Sequence, residues 1–262
     1  MRTFVALMTE NTNPTIENVN QIIHQKTFSN VLLLIPTLNE EEAVESIVTE
    51  AEKSGFCNII VVDGFSTDHT REIAAAAGAT VIKQEFGRGK GCGVRTGMKN
   101  FLQGNAEFLC IIDGDGTNIP SHLEDMMVLA QAGEADVVIG SRIRGKRDRK
   151  AMNPLSVASN LAVSLLLGAK FGRLFTDVQT GYWLFSRSAV QRVYPLIRSR
   201  GFEIEMEMFV VILGAKLRVR EVPVGFRRRQ GSTKFSFLLR LRNLYYAFKY
   251  LASRTPINST GL

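Results

Sequence analysis

From residue 31 onward, short and continuously apolar runs alternate with stretches whose apolar positions recur at helical spacing. "VLLLIPT" (31–37) precedes "EEAVESIVTEAEKSG", and "NIIVVDG" (58–64) precedes "TREIAAAAG". Runs without polar interruption suit strands covered on both faces, so the alternation predicts βα units and a mostly parallel sheet flanked by helices. Further strands are expected at "TVIKQE", "FLCIIDG", "DVVIGSR" and "LRVREVPV". Ser66, Thr67 and Asp68 offer N-caps for the second helix, and Gly78 ends it.

Two segments depart from this rhythm. Six cations, Arg142, Arg144, Lys146, Arg147, Arg149 and Lys150, precede an unusually apolar helix that starts at Pro154 and runs to about residue 169. The terminal "KFSFLLRLRNLYYAFKYLASR" reads as an amphipathic helix with one narrow polar stripe, Ser236, Arg240, Asn243 and Ala247, and with Arg242 and Lys249 interrupting its otherwise apolar remainder. Such a helix is expected either in an oligomer interface or at a membrane surface with its cations at the headgroups. Residues 1 to 30 read as an extension, 31–234 as one α/β domain, and 235–262 as helix and tail.

Composition adds little beyond charge. The 262 residues are 45% hydrophobic and 22% charged, as in an ordinary globular protein, and the net charge of +7 points to an anionic partner: a nucleotide diphosphate, a phospholipid surface or nucleic acid. Cys57, Cys92 and Cys110 lack metal-ligand spacing and are expected as free thiols of a cytoplasmic protein. No signal peptide is evident, and no segment reaches the roughly 18 apolar residues of a membrane span. His24, His69 and His122 stand alone and are expected at the surface.

Chemistry concentrates at strand ends, where ligands bind in α/β sheets. Asp113 and Asp115 end "FLCIIDGD", each followed by glycine; they suit a hard divalent cation, or else a turn. Asp63 ends another strand, either as an Asx turn or as a nucleotide contact. Thr37 and Glu40 have capping-box spacing at a third, with Asn39 between them. "EFGRGKGCGVRTG" interleaves glycines with Arg88, Lys90 and Arg95, so its backbone could approach phosphate, yet it is neither a Walker loop nor a dinucleotide fingerprint. "RRRQGSTK" (227–234) is a basic clamp or a solvated charge run.

In order, "IPTLNEEE", "VVDGFSTDHTREIA", "GRGKGCGVRTG", "DGDGTNIP", "GSR", "DVQTGY" and "EVPVGFRRRQGSTK" resemble the family-2 glycosyltransferases of the GT-A, Rossmann-like fold. The resemblance is closest to the dolichyl-phosphate and polyprenyl-phosphate sugar synthases, in particular the archaeal hexosyltransferases of N-glycosylation. It implies transfer, with inversion, of a monosaccharide from a nucleotide-diphospho-sugar to the lipid phosphate at the cytoplasmic membrane face, with Mg²⁺ or Mn²⁺ and without nucleic acid. Pro36, Thr37, Glu40, Asp63 and Lys90 would bind the nucleotide, and Asp113 and Asp115 the metal. Arg142, Arg149, Ser156, Arg228, Arg229 and Lys234 would meet phosphate. Relatives often carry aspartate where Gly64 stands and glutamine where Thr117 stands; the second departure favours a UDP-sugar over GDP-mannose. A glycan or soluble acceptor would instead need a carboxylate base, for which Asp177, Glu203 and Glu205 are available. A membrane-binding module that keeps the fold without catalysis would carry the same apolar and basic segments, and the terminal helix is also compatible with a homo-oligomer.

Overall fold

The computed structural model describes residues 28–231 and 237–252, with side chains placed up to 231 and again from Tyr245. Seven strands form one sheet: β1 (Val31–Thr37), β2 (Asn58–Asp63), β3 (Thr80–Lys83), β4 (Phe108–Ile111), β5 (Val137–Ser141), β6 (Trp183–Ser186) and β7 (Val219–Pro223), in the order β3-β2-β1-β4-β6-β5-β7. The helices are α1 (Val44–Lys53), α2 (Thr70–Ala76), α3 (Lys90–Gln103), α4 (Leu123–Gln131), α5 (Pro154–Lys170), α6 (Arg187–Val193), α7 (Ile204–Gly214) and α8 (Phe237–Ala252). Strand side chains alternate between the two faces. Leu34 therefore joins the core under α3, α5, α6 and α7, while Leu33 and Ile35 join the one under α1 and α4.

Pairing direction decides where the chemistry gathers. β1 runs parallel to β2 and β4, with Thr37 opposite Asp63. β6 alone is reversed, antiparallel to both β4 and β5, and β7 is parallel to β5. The segments leaving β1, β2, β4, β5 and β7, and the loop entering β6, consequently meet at one edge of the sheet. All strands named from the apolar pattern are present. The pattern missed β6, where Trp183 and Phe185 are buried within the motif "DVQTGYWLF", and α7, where every residue from Ile204 to Leu213 is buried.

Local details refine the expectations. At α2, Asp68 accepts from the Thr70 amide at 3.1 Å and from its hydroxyl at 2.5 Å, while Gly78 takes φ +103° at the end. Phe28, inside the expected extension, is fully buried and stacked on Phe56 with ring centroids 5.0 Å apart. The terminal helix α8 packs on α5 and α7, and its expected polar stripe points inward where it is described: Ala247 is buried, whereas Tyr245 and Phe248 are exposed. A small residue at Ala247 lets the helix approach the core, which hydropathy alone does not reveal. Lys170 caps its last turn, donating to the carbonyls of Tyr250 and Leu251 at 2.5 and 3.2 Å.

Candidate active site

Asp113 lies just past β4, and its carboxylate takes the ammonium of Lys90, the first residue of α3; Lys90 also pairs with Glu205 from α7. Burial disfavours charge on Asp113, but Lys90, then Arg142 and Arg229, outweigh it and hold the carboxyl below its ordinary value. For Glu205, burial wins: its carboxyl lies above the usual range, Lys90 opposing the rise and the charge of Asp113 adding to it. Lys90 itself is held protonated, because Asp113 and Glu205 overcome the cost of its burial. Gly181, entering β6, walls the other side of Asp113, since a Cβ there would lie 2.0 Å from Oδ2.

Asp115 is reached by Arg229 from the segment after β7, Nη1 to Oδ2 at 2.6 Å, and by the Thr117 hydroxyl at 2.6 Å. The other end of the same guanidinium holds Glu40 at 2.6 and 2.9 Å. Arg229 therefore ties the loops after β1, β4 and β7 together. Glu40 thus serves Arg229, and the Thr37 hydroxyl instead lies 3.5 Å from the Val62 carbonyl, so the capping box is not formed. Pro36 and Thr37 lie against Gly114, where a Cβ would come within 2.8 Å of the Thr37 methyl.

Arg142, directly after β5, forms a bidentate pair with the fully buried Asp177, with Nε and Nη2 each at 2.7 Å. This separates it from the rest of the basic run, since Arg144, Lys146, Arg147, Arg149 and Lys150 are exposed. Asp63 is buried and accepts from the amides of Phe65 and Ser66, as an Asx turn does.

Four other expected residues have no described contact with these groups. Among the described contacts none joins Arg149, Ser156 or Arg228 to Asp113, Asp115 or Arg142; Arg228 is exposed, with its amide on Asp148. Lys234 lies outside the described residues. Packing by itself requires two of the glycines around Lys90: Cβ atoms at Gly89 and Gly91 would meet the carbonyls of Arg200 and Ser199 at 2.3 and 2.4 Å. Arg88 and Arg95 lie over the rings of Phe65 and Phe86.

Pattern reasoning missed the part played by Gly181 and Glu205, which only their spatial neighbours reveal. It missed Asn118 as well, a buried residue whose side-chain amide has no hydrogen-bond partner among the described residues. Among the described residues no group of three or more His, Cys, Asp and Glu side chains gathers as a complete metal shell. Asp113 and Asp115, here engaged by Lys90 and Arg229, offer oxygen donors of the kind a hard divalent ion takes, and substrate oxygens would have to supply most of the remaining shell.

A 34% identical relative, glycosyltransferase AglJ of Haloferax volcanii, aligns over 76% of this chain and 63% of its own length, so the chain spans less than two thirds of that protein. The dolichyl-phosphate hexose transferase of the same organism is 30% identical, over 79% of this chain and 87% of that protein. Among solved structures, glucosyl-3-phosphoglycerate synthase from Mycobacterium tuberculosis, in complex with Mn²⁺, UDP-glucose and phosphoglyceric acid, superimposes with TM-score 0.68 over 97% of this chain and 89% of that one. At 19% identity that likeness shows the fold alone, which is GT-A. The carboxylates and cations gathered at one sheet edge thus sit on a glycosyltransferase scaffold, and since the glycosyl transferase family 2 model matches residues 33–194, the chain belongs to that family.

Proposed function

We propose that this protein transfers a monosaccharide from a nucleotide-diphospho-sugar, a UDP-sugar in preference to GDP-mannose, to the phosphate of dolichyl or another polyprenyl phosphate, with inversion. The observation that carries this reading is the site's balance of charge. Lys90, Arg142 and Arg229 converge with Asp113 and Asp115 on one edge, while two of the three carboxylates that could act as bases, Asp177 and Glu205, are held in ion pairs and the third, Glu203, accepts from the Gly201 amide. Asp177 is bonded to Arg142 and Glu205 is paired with Lys90. An acceptor hydroxyl would need a base, whereas a phosphate monoester, with a second pKa near about 6, arrives largely ionised.

In this reading the acceptor oxygen attacks the anomeric carbon as the bond to the nucleoside diphosphate breaks. Asp113 and Asp115 would hold Mg²⁺ or Mn²⁺, which would neutralise charge on the departing diphosphate. Arg229 and Lys90 add fixed positive charge beside it, and Arg142 orients the acceptor phosphate. Pro36, Thr37 and Glu40 line the nucleotide side, and the turn held by Asp63 shapes its floor. The M. tuberculosis structure, holding UDP-glucose and Mn²⁺ on this fold, and the dolichyl-phosphate relative support donor and acceptor respectively.

Among the described residues no helix is long and apolar enough to cross a membrane. The exposed Leu155, Leu165 and Leu166 of α5, Leu174 beyond it, and Tyr245 and Phe248 of α8 support a peripheral position on a membrane, with the exposed cations 144–150 beside the headgroups. Three free cysteines accord with its cytoplasmic face. The test is release of nucleoside diphosphate from a panel of UDP- and GDP-sugars, with polyprenyl phosphate in vesicles and Mg²⁺ or Mn²⁺, beside Asp115→Ala and a chelator control. Release from one donor that requires lipid phosphate and metal, and is lost in the variant, is expected. Metal-dependent release driven by a sugar hydroxyl and indifferent to lipid phosphate would replace the acceptor in this reading.

A further inference from the structure

The carboxylate of Asp177 has about four lone-pair positions, and four donors fill them. Oδ2 accepts from the Arg142 amide at 2.9 Å and from its Nε at 2.7 Å; Oδ1 accepts from Arg142 Nη2 at 2.7 Å and from the side-chain amide of Asn160. Asp177 is therefore saturated. Asn160 comes from the middle of α5 and is itself buried. Its Oδ1 takes the Ser164 hydroxyl at 3.3 Å, and Ser164 Oγ in turn takes the Val178 amide at 2.9 Å. From the other side, Glu221 of β7 holds the amides of Thr176 and Asp177 at 3.0 and 2.9 Å. The segment 176–178 is thus clamped between α5 and β7, and Arg142 is oriented by whatever orients Asp177.

Buried polar groups on an otherwise apolar helix are costly unless fully bonded, and a completed network fixes geometry. The opposite side of the same helix exposes Leu155, Leu165 and Leu166. We infer that Asn160 is a positioning residue for the acceptor: through Asp177 it fixes the Arg142 guanidinium, so that the helix presenting leucines to the lipid also holds the group that meets the lipid's phosphate. The inference rests on the proposed function for the identity of the acceptor, but the Asn160–Asp177–Arg142 linkage can be tested without it.

Asn160→Ala removes one of the four donors and keeps the ion pair. Steady-state kinetics with polyprenyl phosphate should show kcat reduced about 10- to 100-fold, the scale for a displaced positioning group, with unchanged affinity for UDP in the presence of Mn²⁺. In parallel, the Arg142 Nε–H resonance should broaden or exchange faster in the variant than in the wild type. Asn160→Ser, a smaller perturbation, is read in the same assays if the alanine variant does not fold. Wild-type kcat together with an unchanged Arg142 resonance would overturn the inference. Should the wild type show no lipid-phosphate-dependent turnover, the proposed acceptor fails, and the resonance decides the linkage alone: faster exchange supports it and an unchanged signal refutes it.

Discussion

Gly181→Ala tests whether the loop entering β6 sets the position of Asp113. A Cβ at residue 181 would lie 2.0 Å from Asp113 Oδ2 and 2.2 Å from Cγ, and real Cβ contacts stay beyond 3.0 Å, so one side must move by at least about 1 Å. The backbone has little room to yield, because Thr180 and Tyr182 are both fully buried and the Tyr182 hydroxyl donates to the Pro120 carbonyl at 3.0 Å. The carboxylate is the softer partner, being held by side-chain contacts alone. A displacement of about 1 Å at a positioning group costs on the order of 100-fold in rate, and overpacking costs about 1–3 kcal/mol of stability. In a chain of this size each kcal/mol lowers the midpoint by about 2–4 °C. The assay is nucleoside diphosphate release at saturating substrates, with calorimetric melting of the same preparation. A folded variant with wild-type turnover and an unchanged melting point would refute the reasoning, since the added methyl would then fit without moving Asp113.

Arg229→Ala should lower kcat/KM by more than about 10-fold, given roughly 1.5–3 kcal/mol for a charge-assisted bond, and Arg229→Lys should rescue poorly because an ammonium cannot reach Asp115 and Glu40 with the same planar fork; full activity of the lysine variant would argue against the bridge. The bond from Arg218 depresses the Asp136 carboxyl, so its stabilisation is present above the unfolded pKa of about 3.9 and is lost as pH falls through the lower folded value. Because Arg218 is 58% exposed, Asp136→Asn should cost under about 1 kcal/mol at pH 7, with the difference from wild type shrinking in urea melts toward pH 3; a difference that grew in acid would have the wrong sign. Replacing Tyr245 and Phe248 by serine should weaken vesicle sedimentation while leaving the melting point nearly unchanged, because both are exposed. Deleting the whole of α8 should also lower the melting point, because Ala247 joins the core.

The order of apolar runs and helical patterns determined much by itself. Buried parallel strands must be apolar on both faces, and this made β1, β2, β4 and β5 legible and placed Asp63, Asp113 and Arg142 at strand ends. The pairing of Arg229 with Asp115 was not legible, since the two lie more than a hundred positions apart and only the parallel alignment of β4, β5 and β7 brings them together. The same holds for Lys90 with Glu205 and for Gly181 behind Asp113, where no local period marks a residue whose partner comes from another element. The glycines near Lys90 were visible as a motif but not in their purpose: a missing side chain reads alike whether a ligand or the backbone of residues 199–201 occupies the space. Burial direction was likewise decided in three dimensions. Hydropathy marked α8 as unusually apolar, but which face turns inward depends on where α5 and α7 stand: Ala247 packs inward beside Tyr246 and Tyr250, while Tyr245 and Phe248 face outward.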